Sequence, residues 1–200
     1  AGKTHLLGEI RASVQKQRGY FFLVDMLSGE RFWSTILNTV LEDFSRPVVQ
    51  TQRSQLQEML WRLSEQAAIP EGERAPIVGQ APLDKEQLDT FVAAVFKVHA
   101  KYRRRAQNTL RALVLAAAED QDVNDLGYIF LQPHETDSSI LESLKPWGIQ
   151  RVTLTDQDVV ESISQLLALT GPSVMAVDQI DTVIGSSMKS TAQDAAGSEG

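Results

Sequence analysis

The chain has 200 residues, 42% of them apolar and 22% charged, with 26 acids against 19 bases and a net charge of −7. That length and balance suit one domain or one and a half with a real core, and they exclude disordered, collagen-like and membrane-embedded classes. The absence of cysteine excludes disulfide frameworks, thiol catalysis and cysteine-based zinc or iron–sulfur sites, and three scattered histidines leave little for metal ligation.

The acidic balance argues against attraction of the whole chain to nucleic acid or anionic lipid, so only a local basic patch remains relevant. No apolar run is long enough to span a membrane and no signal-peptide pattern opens the chain, which reads as a cytoplasmic protein with no membrane role. Ala1-Gly2-Lys3-Thr4 opens without an initiator methionine, as numbering inside a longer reading frame would.

From Lys3 to Gln17, Leu6, Leu7, Ile10 and Val14 recur at helical spacing, and Gly19 stands where a helix-ending glycine belongs. Tyr20 to Val24 is a short aromatic and β-branched run, the pattern of a strand buried on both faces. After Ser28-Gly29, the stripe Phe32, Trp33, Ile36, Leu37, Val40, Leu41 and Phe44 predicts a second helix ending before Pro47. Thr51 to Ala67 is again helical. Pro70, Gly72, Pro76, Gly79 and Pro82 then mark a long connection.

Leu88, Phe91, Val92, Val95 and Phe96 form the clearest helical face, followed by the basic stretch Lys101 to Arg105 and apolar Leu110 to Leu115. The span 51–118 therefore reads as a helical subdomain. Asn124 to Gly148 is mixed: Tyr128 to Leu131 fits a strand or a helix, and Leu141, Leu144 and Trp147 suggest a short helix. Thr155 and Asp158 form a capping-box start for a helix carrying Val159, Val160, Ile163, Leu166 and Leu167, which Gly171-Pro172 stops. Val174 to Val177 is a short apolar strand running into Asp178. Residues 185–200 are small, polar and turn-rich, the composition of a flexible tail.

Two of these elements carry chemistry. Gly2-Lys3-Thr4 heads an amphipathic helix, where free amides face an anion, the lysine reaches phosphates and the hydroxyl ligates Mg2+. Asp178 emerges at the C-terminal end of a buried strand, the edge of a parallel sheet where ligands collect and a carboxylate can hold Mg2+ through water.

Ala1-Gly2-Lys3-Thr4 and Val174 to Asp181 resemble the Walker A and Walker B elements of P-loop NTPases, nearest the AAA+ and STAND ATPases. The resemblance covers about 1–45 and 155–184. It implies an α/β fold, a P-loop-type parallel sheet flanked by helices, with a large mainly helical insertion at 46–154 and a core incomplete at both ends. It further implies an ATPase using ATP and Mg2+, with Gly2, Lys3, Thr4 and His5 against the nucleotide and Thr4 and Asp178 on the metal. Gln179 stands where many AAA+ members place a glutamate; it can orient the attacking water, and Asp181 is its rival for the catalytic role. Such ATPases usually oligomerise, and the insertion is the part expected to meet a protein partner.

The bland readings stand beside these. The cluster Lys101, Arg103, Arg104 and Arg105 reads as a solvated helical face or as a nucleic-acid contact. His5 and His99 fall on predicted helices and His134 in a polar loop. Trp33, Trp61 and Trp147 read as core anchors. An alternative function is a non-enzymatic interaction module in which 51–118 binds a partner and the Gly-Lys-Thr is degenerate; a small-molecule kinase fits less well, because only two good strands are readable.

Overall fold

A computed structural model describes residues 2–25, 31–132, 142–150 and 154–178. Helix α1 (Gly2–Lys16) ends in a tight reversal, with Arg18 at φ 60° and the Gly19 amide donating to the Val14 carbonyl at 2.8 Å. A Cβ on Gly19 would lie 2.7 Å from Val14 Cγ1 and 2.9 Å from the Pro172 carbonyl oxygen, so close approach requires glycine there. The chain then enters β1 (Tyr20–Val24), whose aromatic and branched residues are almost wholly buried.

The partner of β1 comes from the far end of the chain. β2 (Ser173–Val177) pairs with it in parallel, in register from Tyr20↔Ser173 to Val24↔Val177. A parallel pair needs a crossover, and here every intervening helix belongs to it.

Those helices are α2 (Phe32–Phe44), α3 (Gln55–Gln66), α4 (Lys85–Val98), α5 (Arg103–Ala116), α6 (Gln121–Leu131) and α7 (Asp156–Thr170). Three start on capping boxes, Ser54 with Gln57, Asp84 with Gln87 and Thr155 with Asp158, so their first amides are satisfied by side chains. Tyr128 to Leu131 is helical, within α6. Asp120 caps that helix, and Gly127 lets it meet α5 backbone to backbone, since a Cβ there would fall 2.3 Å from the Ala116 nitrogen. Around Trp147 the chain makes a single 3-10 turn, Lys145–Trp147.

One hydrophobic cluster joins β1 to all six of these helices: Tyr20, Phe22 and Val24 pack with Phe44, Leu60, Leu88, Leu110, Leu131 and Val159 among others. Phe22 and Phe44 meet edge to face at 5.8 Å. A buried polar network pins the same junction. Arg62 donates to Glu58 at 2.8 Å and also to the Arg18 carbonyl, and the Tyr20 hydroxyl shares a 2.7 Å hydrogen bond with Thr170. Burial raises the Tyr20 phenol above its ordinary pKa.

The expected P-loop-type sheet flanked by helices, with a helical insertion, is overturned. The structure is mostly helical (69%), with a two-stranded parallel sheet. Side chains occupy the place a third strand would take beside β1. The Phe21 amide donates to Gln55 Oε1 at 2.9 Å, Gln55 Nε2 donates to the Phe21 and Asp43 carbonyls at 3.1 and 2.8 Å, and the Leu23 amide donates to Asp43 Oδ2 at 2.8 Å. Backbone groups that a neighbouring strand would satisfy are thus satisfied from α2 and α3, and the sheet stops. The middle helices are part of the packing that covers the strands.

Candidate functional site

Parallel strands that end together present their last residues at one edge. The Asp178 amide donates to the Val24 carbonyl at 2.8 Å, so the ladder continues one residue past Val177 and holds the Asp178 backbone against the end of β1. Asp178 is partly buried, and Asp25, the residue following Val24, is exposed beside it in register. Two carboxylates therefore sit at this edge. Sequence reasoning singled out Asp178 alone, although the same signal, an acid directly after a buried strand, marks Asp25.

Helix α1 returns toward that edge. Its Arg11 guanidinium lies 5.0 Å from the Phe21 ring, so the helix passes back over β1 after the reversal at Gly19. From Arg11 to Gly2 the helix rises about 13 Å at 1.5 Å per residue. From Phe21 to Val24 the strand advances about 10 Å. The helix therefore starts toward the strand ends that Asp25 and Asp178 follow. The free amides of its first turn form the positive end of a 15-residue helix.

Of the residues singled out by sequence, Gly2 and Thr4 are exposed on that first turn and the Lys3 backbone is helical with them. His5 is exposed and engages Glu9 one turn along, Nε2 to Oε1 at 3.1 Å. Gln179, Asp181 and the tail at 185–200 lie outside the described residues, as does His134. His99 caps the end of α4 and bonds Gln66 at 3.1 Å. Trp33 is exposed rather than a core anchor, and Trp61 is partly buried with Arg53 stacked 3.8 Å from its ring.

Among the described residues no group of three or more histidines or carboxylates is arranged to hold a metal unaided. A donor set of the Thr4 hydroxyl with the Asp25 and Asp178 carboxylates would suit Mg2+, which keeps several waters and takes its remaining oxygens from phosphates. It does not fit a metal that requires a full protein cage.

Larger hollows lie elsewhere. One, of about 570 Å3, separates the starts of α5 and α7 and is lined by Arg103, Arg104, Arg105, Asp158 and Glu161. Another, of about 550 Å3, runs along β2 and is lined by Phe22, Val160, Ile163, Leu167 and Met175. No helix among the described residues is long and apolar enough to cross a membrane. Compared with known proteins, the chain matches no family model, no curated protein and no solved structure.

Proposed function

We propose that the protein binds ATP with Mg2+ at the C-terminal edge of its parallel strand pair and hydrolyses it, acting in the cytoplasm as a nucleotide-dependent switch. The observation that carries this reading is the run of α1 back along β1, with Arg11 over the Phe21 ring, which directs the Gly2-Lys3-Thr4 helix start toward the strand ends that Asp178 follows.

In this reading the first amides of α1 face phosphate oxygens and the Lys3 ammonium neutralises the triphosphate. Thr4 and Asp178 would hold Mg2+, which when bound lowers the charge on the phosphates. Asp25 adds a second carboxylate to orient metal-bound water. Gln179 and Asp181 remain the residues proposed to position the attacking water. A protein partner on the 51–118 helices and self-association belong to the same proposal.

Titration with a fluorescent ATP analogue and Mg2+ tests it. Lys3→Ala is expected to weaken binding about tenfold or more, the loss of one charge-assisted contact to phosphate. Asp178→Asn is expected to abolish turnover and the Mg2+ dependence of binding. Equal affinity in wild type and Lys3→Ala rejects the nucleotide reading and leaves the non-enzymatic helical module.

A further inference from the structure

From Thr90 to Ala118 the sequence contains no aspartate or glutamate, yet it carries Lys97, Lys101, Arg103, Arg104, Arg105 and Arg111 in a chain of net charge −7. The fold gathers five of these at the corner where α4 turns into α5 through the short 3-10 turn Ala100–Tyr102. Arg111 is set apart: it is buried, with its Nη1 on Asp89 at 2.6 Å and on the Trp147 carbonyl at 2.9 Å.

The acids near this corner are already engaged. Glu161 faces Arg105 at 3.5 Å and accepts from Gln157, and Asp158 is held by the Thr155 hydroxyl and amide at the start of α7. Arg103 reaches only the Gln107 amide oxygen, and Lys101 lies 4.5 Å from the Tyr102 ring. Among the described residues no carboxylate pairs with Lys101, Arg103 or Arg104.

Folding does not explain this placement. α5 starts on Tyr102 with no side-chain cap and no acid in its first turn, so three arginines stand at the positive end of a helix, where cations are disfavoured. Consecutive positions are about 100° apart around a helix, so the three guanidinium groups fan around the rim of the hollow between the starts of α5 and α7. Such a fan suits a row of phosphates better than one small anion.

We propose that the α4–α5 corner is a contact surface for the phosphate backbone of duplex nucleic acid, with Lys101, Arg103 and Arg104 as the contacting cations. Charge complementarity selects a polyanion, and two features select the duplex. Single-strand binding draws on open aromatic faces for base stacking. Tyr102, the aromatic residue of this corner, is half-buried with Lys101 over its ring. An anionic membrane surface would call for an apolar face beside the basic one, and Val98 is the large apolar side chain exposed there. The contact is independent of sequence, because backbone recognition carries no base readout.

Fluorescence anisotropy of a labelled duplex of about 20 base pairs, titrated without nucleotide at salt from about 50 to 200 mM, tests the proposal. The wild type is expected to bind with an affinity that falls steeply with salt. The triple variant Lys101→Ala, Arg103→Ala, Arg104→Ala is expected to bind at least tenfold more weakly, with a salt slope shallower by roughly 2 to 3, one phosphate per cation removed. Arg104→Glu alone, at a side chain with no ion-pair partner among the described residues, is expected to weaken binding without lowering the thermal melt, while Lys85→Ala with Lys145→Ala leaves affinity unchanged. Affinity unaltered in the triple variant or in Arg104→Glu, absence of wild-type binding, tighter binding of the matching single strand, or stronger binding to phosphatidylserine vesicles would each overturn it. None of these readouts involves ATP.

Discussion

The two edges of the small sheet are built in opposite ways. The outer edge of β1 is closed by Gln55 and Asp43, whose side chains take over the hydrogen bonds of a missing strand at 2.8 to 3.1 Å. The outer edge of β2 has no such closure among the described residues. Because the Pro172 carbonyl and the Asp178 amide face β1, the alternation of a parallel strand turns the backbone groups of Ser173, Met175 and Val177 outward. Met175 and Val177 remain 41% and 40% exposed, while Tyr20 and Val24 on the other strand are fully covered. A strand can therefore be terminated from its own flanking helices where buried side chains of the right reach exist, and among the described residues β2 has no such side chains beside it.

The largest expected effect is on the closed edge. Gln55→Ala leaves the Phe21 amide and carbonyl without partners in a dry site, while the Asp43 carbonyl keeps the Arg46 amide at 3.1 Å, an expected loss of about 3 kcal/mol measured by denaturant unfolding. A loss below about 1 kcal/mol would mean that water or a shifted backbone closes the edge instead. Asp43→Ala should cost about 2 kcal/mol, since it orphans the Leu23 amide and removes the ion pair with Arg46, whereas Asp43→Asn, which still accepts from Leu23, should cost less.

The β2 edge leans on α7, the helix that delivers β2, and the cap of α7 offers a finer probe. Thr155→Ala should cost about 1 kcal/mol near neutral pH. The Thr155 hydroxyl and amide hold Asp158 below its ordinary pKa, so its contribution is present above the unfolded carboxylate value and is lost as pH falls through the lower folded one. The gap between wild type and variant should accordingly shrink below about pH 4 in parallel thermal melts. The smallest effect belongs to the edge itself: Met175→Lys should change stability by no more than about 0.5 kcal/mol. A loss several times larger would show that this strand is covered in solution.

Much of the local structure was legible. The 3.6-residue periodicity placed α1 and α2, the Thr155–Asp158 box placed the start of α7, and the apolar runs Tyr20–Val24 and Val174–Val177 marked both strands, although the second, expected to be buried, is half-exposed. Tyr128 to Leu131 stayed ambiguous because a short apolar run satisfies both periods; Gly127, which permits close contact with α5, settles it as helix. At the candidate site the sequence pointed to Gly2, Lys3, Thr4 and Asp178 but passed over Asp25, because register exists only once the strands are paired.

Periodicity, caps and turn residues act over a few positions, so the amino-acid order by itself determined most helices and both strands, though not the start of α3, which lies at Gln55 rather than Thr51, nor the whole of α6. Tertiary structure decided which strands meet, that Gln55 and Asp43 end the sheet, and that the middle helices share its core. Those outcomes depend on side chains that reach across the fold, and a buried backbone group accepts whichever partner arrives with the right geometry, strand or side chain alike.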